Sequence, residues 1–433
     1  MTAEHRPDLP EASENALSLR HLSRVVCLAE FHNVAEAADH LSCSPAAVTK
    51  SVKEIEGILG ASLFERVGGD YRTTLAGDIL SRRARLAREA YRQIDRSLGN
   101  PVRLPLPPIS NKRGTAFLAA FAHRNLDQAA REIRVTISAI YGAISNLEKF
   151  FSRDLFERSK HGELVPTPFA HELAKALKLV RAEVRFAVEE VASLAFGPRG
   201  KVRIGVLPRA REYLLPHAIN KLISDYPEVN VRVLDAPGPN LLRAVLCGDL
   251  DFIVGPFKPK SKESGLAMAP LVVDHFIAIA RQTHPLANAV RPNLAEAIAN
   301  YGWVVGVPRS IGRQIFREIL ADHGLNEPQQ LIESNSFSLI RGLLLEKDWI
   351  ALSTVAEFFN APEFGQLTTL DLHLSLGSQA DADLPISVLK RANTTLPPAA
   401  QVTLEYVHAV AGEIRADLER ARTRMFTRLE SVK

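Results

Sequence analysis

Small, hydroxyl and cationic side chains gather at the start of one helical stretch of this 433-residue chain: Ser44, Pro45, Ala46, Thr49, Lys50 and Lys53. Ser44 suits an N-cap, and Pro45 falls at the first helical position, where a missing N–H costs nothing. Val48, Val52, Ile55 and Leu59 then recur at helical spacing, leaving Thr49, Lys50 and Lys53 off the apolar stripe. Such groups at a helix N-terminus can reach base edges and phosphates in a major groove. Taken alone, the stretch is equally compatible with an ordinary helical hairpin bearing a solvated polar face. A second chemistry, anion binding, is suggested by Pro208, Arg209 and Arg211 after the apolar run ending at Val206, and by Pro308, Arg309 and Ser310 after Val307. In both places guanidinium groups sit where a strand gives way to a helix N-terminus, which favours a carboxylate or phosphate. Phe257, Ser334, Asn335, Ser336 and Phe337 complete the candidate ring, with Arg209 and Arg309 its leading members; each arginine is as readily a surface ion-pair partner.

The elements that must position the first set are legible. Val34, Ala37, Ala38 and Leu41 put an apolar stripe on a preceding helix, and its two alanines are small enough to let another helix cross closely. Gly60 is a stop, and Leu63 to Leu75, turning at Gly68 and Gly69, predicts a small hairpin or wing. The whole unit recurs. Residues 29–66 and 121–158 align at a constant offset of 92, and the run LFER stands at both 63–66 and 155–158. A repeat of this length is a folded module used twice. The second copy keeps the packing positions but carries Gly142 for Lys50 and Ser145 for Lys53. The glycine alone weakens a helix by up to ~1 kcal/mol relative to alanine. Tyr141, Ser138 and Asn146 are left to read bases, with Arg153, Arg158 and Lys160 to meet a backbone. The first copy is therefore expected to carry most DNA affinity, and the second to add specificity or act as a dimerisation scaffold.

In order, Ala37-Ala38, Ser44-Pro45-Ala46-Ala47-Val48-Thr49, Ile55-Glu56, Leu59-Gly60, Leu63-Phe64-Glu65-Arg66 and Thr74-Leu75-Ala76-Gly77 resemble the winged helix-turn-helix of LysR-type transcriptional regulators. The resemblance implies a recognition helix with Ser44, Pro45, Thr49, Lys50 and Lys53 as DNA-binding residues, and Arg66 and Arg72 as phosphate contacts near the wing. From Lys201 short apolar strands alternate with helices, which predicts parallel sheets with ligands at strand carboxyl ends. Leu214-Leu215-Pro216, Tyr226-Pro227, Gly248-Asp249-Leu250-Asp251, Pro270-Leu271 and His284-Pro285-Leu286-Ala287 resemble that family's effector-binding domain. The family's two-lobed periplasmic-binding-protein fold implies that both arginine-bearing turns face the cleft between lobes. A second helix-turn-helix departs from the family's usual single copy.

The expected fold is therefore multidomain, two winged helix-turn-helix modules of all-α type followed by a two-lobed α/β domain. A disordered tail over 1–17 precedes modules at 18–77 and 114–168, separated by a helix and proline-rich linker over 78–113. PVRLPLPPIS at 101–110, with four prolines, reads as a stiff tether. A linker helix over 169–198 carries Leu173, Leu177, Val180, Val184, Ala187, Val188 and Val191 on one stripe. The resemblance, together with a stripe its own domain leaves uncovered, predicts pairing with a partner chain. The effector domain is expected over 200–397 and a final helix over 398–433, either an oligomer contact or a solvated tail.

Composition sets limits. Net charge is +4, so contact with DNA must come from local patches. Arg82, Arg83, Arg85, Arg88, Arg92 and Arg96 follow the first wing; they read as a solvated helix face, with a phosphate-facing one as the alternative. Three cysteines without metal spacing suit a reducing compartment, with Cys43 a redox-sensor candidate by position. No apolar run has membrane-spanning length and no signal-peptide core opens the chain, so the expected location is cytoplasmic, without membrane association. No catalytic or metal-ligand signature stands out, and His284 before Pro285 reads as structural. The expected partners are double-stranded DNA, a small carboxylate or phosphate effector and further copies of the chain, as homodimer or homotetramer, with no cofactor. The competing function is a small-molecule binding protein or enzyme on the same two-lobed fold, its helix-turn-helix modules used only for oligomerisation.

Overall fold

The structure is a computed structural model that describes residues 17–98, 109–159, 163–208, 210–211, 213–257, 265–289, 292–359, 364–372, 374 and 383–430. Arg209, Lys160 and the proline-rich tether over 101–108 lie outside the described residues. Two units of like construction open the chain. The first comprises α1 (Leu19–Phe31), α2 (Val34–His40), α3 (Pro45–Leu59), the hairpin β1 (Phe64–Val67) and β2 (Asp70–Thr73), and a long helix α4 (Leu75–Leu98). The second comprises α5 (Asn111–His123), α6 (Leu126–Ile133), α7 (Ile137–Phe151), β3 (Phe156–Arg158), β4 (Leu164–Pro166) and α8 (Pro168–Phe196).

The likeness extends to individual hydrogen bonds. Glu56 Oε1 accepts from the N–H of Leu63 at 2.8 Å, and Glu148 Oε1 from that of Leu155 at 3.0 Å. Thr74 Oγ1 donates to Ser62 O, and Thr167 Oγ1 to Asp154 O, each locking the wing to the following helix. Gly60 and Ser152 end α3 and α7 in the left-handed conformation. The glutamate of each LFER run is not the one that serves here; the bond common to both copies uses the earlier Glu56 and Glu148, which pin the helix end to the strand.

α4 and α8 pack along one another, and one continuous apolar cluster joins both units through them. Leu80, Ala84, Ala87, Tyr91 and Ile94 of α4 are buried, as are all seven stripe residues of α8. The expected uncovered stripe on α8 is thus corrected: its own chain covers it with α4. Leu17 also departs from expectation. Assigned to the tail, it is 2% exposed and its carbonyl accepts from Asn111 Nδ2 at 2.8 Å.

Beyond Gly197 lie β5 (Gly200–Val206), α9 (Leu214–Asp225), β6 (Val229–Asp235), α10 (Gly238–Leu246), β7 (Phe252–Pro256), β8 (Leu266–Arg281), α11 (Leu294–Asn300), β9 (Trp303–Val305), α12 (Ile311–Asp322), β10 (Leu331–Glu333), α13 (Phe337–Glu346), β11 (Ile350–Thr354), α14 (Val355–Phe359), β12 (Leu367–Leu370), β13 (Asp383–Arg391) and α15 (Pro398–Glu430). The strand order is β10-β9-β11-β8-β13-β7-β5-β6, with β12 also on β8. β5 pairs parallel with β6 and β7, and β9 with β10 and β11. The parallel expectation fails at β8 and β13, which pair antiparallel with each other and with their neighbours. β8 serves both lobes: Leu266–His275 pair with β13, and Phe276–Ile279 with β11. The sequence reads as strand only over Phe276–Ala280, because Pro270 argues against a central strand in the first half.

The boundary expected at 397 is also corrected. Ala399, Ala400, Val407, Val410, Ala411 and Ile414 of α15 pack into the core of the first lobe with Leu214, Leu215, Ala218 and Leu222 of α9. The first half of the last helix is lobe core, because its apolar residues at helical spacing meet the open face of the sheet.

Candidate nucleic-acid interface and effector turns

Ala37 and Ala38 of α2 are fully buried and let α3 cross closely, which fixes the outward face of α3. Ser44 caps α3 by accepting from the N–H of Ala47 at 3.2 Å, and Val48, Val52 and Ile55 are buried. What remains outward is Ser44, Pro45, Ala46, Lys50 and Lys53, with Thr49 half-buried. The Lys50 side chain is 78% exposed and its Nζ lies 3.8 Å from Glu54, a surface pair readily exchanged for a phosphate. On the wing, Arg72 stands opposite Glu65, and Arg66 donates from Nη2 to the Tyr71 hydroxyl at 2.9 Å while lying over that ring. Arg66 and Arg72 are both exposed beside α3's unit.

α7 is built the same way, with Thr136 capping through Ala139 N–H and Ile140, Ala143, Ile144 and Leu147 buried. Its outward end differs in chemistry. Tyr141 is 56% exposed, Ser138 is exposed, and so are Val135 and Ile137. Val135 and Ile137 were missed in the sequence, where apolar type at a helix start signals packing. Arg158 is exposed on β3.

On the arginine-rich helix α4, Arg85, Arg92 and Arg96 are exposed as a solvated face requires, and the expectation is corrected at Arg83. Arg83 is 1% exposed, donating from Nε and Nη2 to Glu190 and from Nη1 to Glu183 at 2.8–3.0 Å. It is neither solvated nor available to phosphate. Arg82 joins Glu190 at 2.8 Å. Glu183 also accepts from Arg391 at 3.1 Å, and the Arg83, Arg185 and Arg391 guanidiniums all lie near the Phe186 ring. Arg185 reaches Asp251 at 2.8 Å and Lys178 reaches Asp249 at 2.6 Å, so α8 is pinned to the first lobe by charge as well as packing. None of these pairs was legible, since their partners lie 66 to 208 residues apart.

At the effector turns, the second lobe does bring together the residues picked out for it. Ser334 N–H donates to Val305 O at 2.8 Å and Val307 N–H to Asn335 Oδ1 at 3.2 Å, stitching the turn before α12 to the turn before α13. Ser310 caps α12 through Arg313 N–H, and Ser336 caps α13 through Leu339 N–H. Pro308 and Arg309 are exposed and Phe337 is half-buried. Arg309 has φ 70° away from any helix C-terminus, a conformation that costs a non-glycine residue ~1–3 kcal/mol and clusters at ligand sites. The first-lobe members fare differently. Pro208 is half-buried, and Arg211 is ion-paired with Asp235, so an anion there must compete with a carboxylate. Phe257 is 8% exposed and packs with Leu241, Val245, Leu250, Ile253 and Leu389. It is a core residue of that lobe.

Burial pushes the Cys27 thiol up to about 12 and raises that of Cys247, keeping both protonated and unreactive. Cys43 is half-buried and free. Among the described residues no helix is long and apolar enough to cross a membrane.

These units match known families. A model described as the LysR substrate binding domain matches residues 196–412, half of the chain. One described as the bacterial regulatory helix-turn-helix protein, lysR family, matches residues 19–78 and again 113–171. The HTH-type transcriptional regulator GalR of Pseudomonas putida is 27% identical over 399 residues, covering 92% of this chain and 98% of that protein. An alignment that long cannot omit either front unit. The HTH-type transcriptional regulator GbpR of Azospirillum brasilense is 24% identical over 298 residues, 68% of this chain and 84% of that protein. A full-length variant of OxyR from Pseudomonas aeruginosa has the same fold at TM-score 0.50 and 18% identity, with 69% of this chain covering 97% of that one. Nearly a third of this chain is thus surplus to that fold. The families and relatives are transcriptional regulators rather than enzymes. With both parts of the family architecture matched in order, the chain belongs to the LysR family of bacterial transcriptional regulators.

Proposed function

We propose that this regulator binds specific DNA through its front units, with α3 supplying most of the affinity, and that a small anionic metabolite held between the two lobes modulates the binding. The observation that carries the DNA reading is the outward face of α3: Lys50 and Lys53 beside small and hydroxyl groups, on a helix whose other faces are buried. Cations so placed neutralise phosphates and release counterions. DNA as partner puts the working protein in the cytoplasm. Lys50→Ala with Lys53→Ala is expected to weaken binding to promoter DNA and to reduce the slope of log affinity against log salt by about two. A mobility shift over a salt series measures this; an unchanged slope removes these lysines from the interface.

Support for the effector reading comes from Arg309, held left-handed and exposed between the N-termini of α12 and α13. Two helix N-termini and a guanidinium favour a carboxylate or phosphate. Such a ligand acts on DNA binding only through unequal affinity for the open and closed lobes. Thermal-shift screening against dicarboxylates and sugar phosphates is expected to find stabilising compounds. Arg309→Ala should abolish the shift, and an identical response from the variant excludes Arg309 from the site.

A further inference from the structure

We infer that the two front units of a single chain form a self-contained two-fold pair, and that this pair reads two unlike half-sites on DNA. The inference rests on the proposed DNA contact of α3 and extends it to α7. α4 and α8 are the same element of the two units, and they run antiparallel. Arg83, in the first half of α4, meets Glu183 and Glu190 in the second half of α8. Ala90 and Ile94, further along α4, share a recess with His171 and Lys175 near the start of α8. Leu17 and Ile109 occupy matching positions of the repeat, 92 apart, and both line one small recess against α8. A position that shares one recess with its own counterpart lies close to a two-fold axis, and like helices paired antiparallel make an isologous contact. Here the contact is within one polypeptide, so it forms on folding and does not dissociate on dilution.

A two-fold relation makes α3 and α7 counterparts. A two-fold pair of reading helices meets half-sites about one helical turn (~10 base pairs) or a multiple apart. In a pair of identical chains the half-sites would be a palindrome. In this chain they are not, because Lys50 corresponds to Gly142, Lys53 to Ser145 and Pro45 to Ile137. The α3 end presents ammonium groups, suited to phosphates and to guanine acceptors. The α7 end presents exposed Ile137 and Tyr141, whose apolar surface suits the thymine methyl. The structure therefore assigns each chain an asymmetric operator: one half read by cations, one by apolar contact and the Tyr141 and Ser138 hydroxyls.

The test selects binding sites for the full-length protein from a library of randomised DNA duplexes and footprints the winners with hydroxyl radicals. Two protected elements of different sequence, about one helical turn or a multiple apart, are expected. Lys50→Ala with Lys53→Ala should erase the sequence preference at one element. Ser138→Ala with Tyr141→Ala should erase it at the other, weakening binding roughly tenfold or more with the salt slope unchanged. All four side chains point outward, so both variants retain their packing. A single selected element, a palindrome of identical halves, or a Ser138 and Tyr141 variant with the original preference overturns the inference while leaving DNA binding by α3 intact. No enrichment of any sequence by the unaltered protein takes down the DNA reading itself.

Discussion

Arg83 is the residue on which the front half of the molecule turns. It satisfies two buried carboxylates, and Glu183 passes the contact on to Arg391 at the end of β13. Loss of Arg83 leaves each glutamate one other arginine, Arg391 for Glu183 and Arg82 for Glu190, so the cost stays below the about 3–5 kcal/mol of a buried charge left with no partner. Arg83→Met is therefore expected to lower urea-unfolding stability by about 1.5–3 kcal/mol, the range of a lost hydrogen bond to a charged group. A loss below about 1 kcal/mol, within the range of exposed ion pairs, refutes the assignment. His284 makes a different prediction. Its Nδ1 accepts from Leu286 N–H at 3.1 Å, which caps the turn at Pro285–Asn288, and burial lowers its pKa below the ordinary 6.5 against the opposing pull of Asp348. The folded ring stays neutral where the unfolded one takes a proton. Stability is then complete above about pH 6.5 and falls as pH drops below it. His284→Asn keeps a capping acceptor and removes the titration, so melting curves at about pH 7.5 and 5.5, on either side of that value, should differ less in the variant than in the unaltered protein.

At the scale of elements, α8 does two jobs that its sequence shows as one. Its apolar stripe is filled by α4, while Lys178, Glu183 and Arg185 tie its flank to the first lobe. The stripe was plain from spacing. Its occupant was not, since periodicity specifies a face and says nothing of which helix lies against it. The turn between β9 and α12 is read from the sequence as a strand-to-helix turn, and it is one. Ser310 and Ser336, named from the sequence as effector residues, cap the two helices, and Gly306 stands where a Cβ would lie 2.3 Å from Ser310 Oγ and 3.2 Å from Asn335 Oδ1. Gly306→Ala should displace the Ser310 cap, costing about 1 kcal/mol, and should weaken any anion held beside Arg309. Denaturation and thermal-shift measurements on the variant check both effects, and unaltered values in each would show that the turn tolerates the methyl group.

Over the whole molecule, the front pair and the first lobe share α8, so a change in the lobes has a rigid element through which to reach the DNA-contacting helices. The physical requirement is coupling between the two ends of the charge network. A double-mutant cycle on Arg83→Met and Arg391→Met should give an interaction energy above ~0.5 kcal/mol, since both guanidiniums share Glu183. Strict additivity would separate the front pair from the lobe.

The amino-acid sequence by itself determined what is local or repeated: the helix pairs, their caps, the wings, the offset of 92 and the alternation of strands and helices. Each depends on residue types within a few turns of one another, where spacing alone selects the geometry. Tertiary structure decided what depends on distant partners. It placed Arg83 inside rather than outside, Phe257 in a core rather than a site, α15 in the first lobe, and α4 on the stripe of α8. A charge or an apolar face has the same sequence signature whether water, DNA, a second chain or the same chain satisfies it. Which of these does so is settled only when folding brings the chain's remote parts into contact.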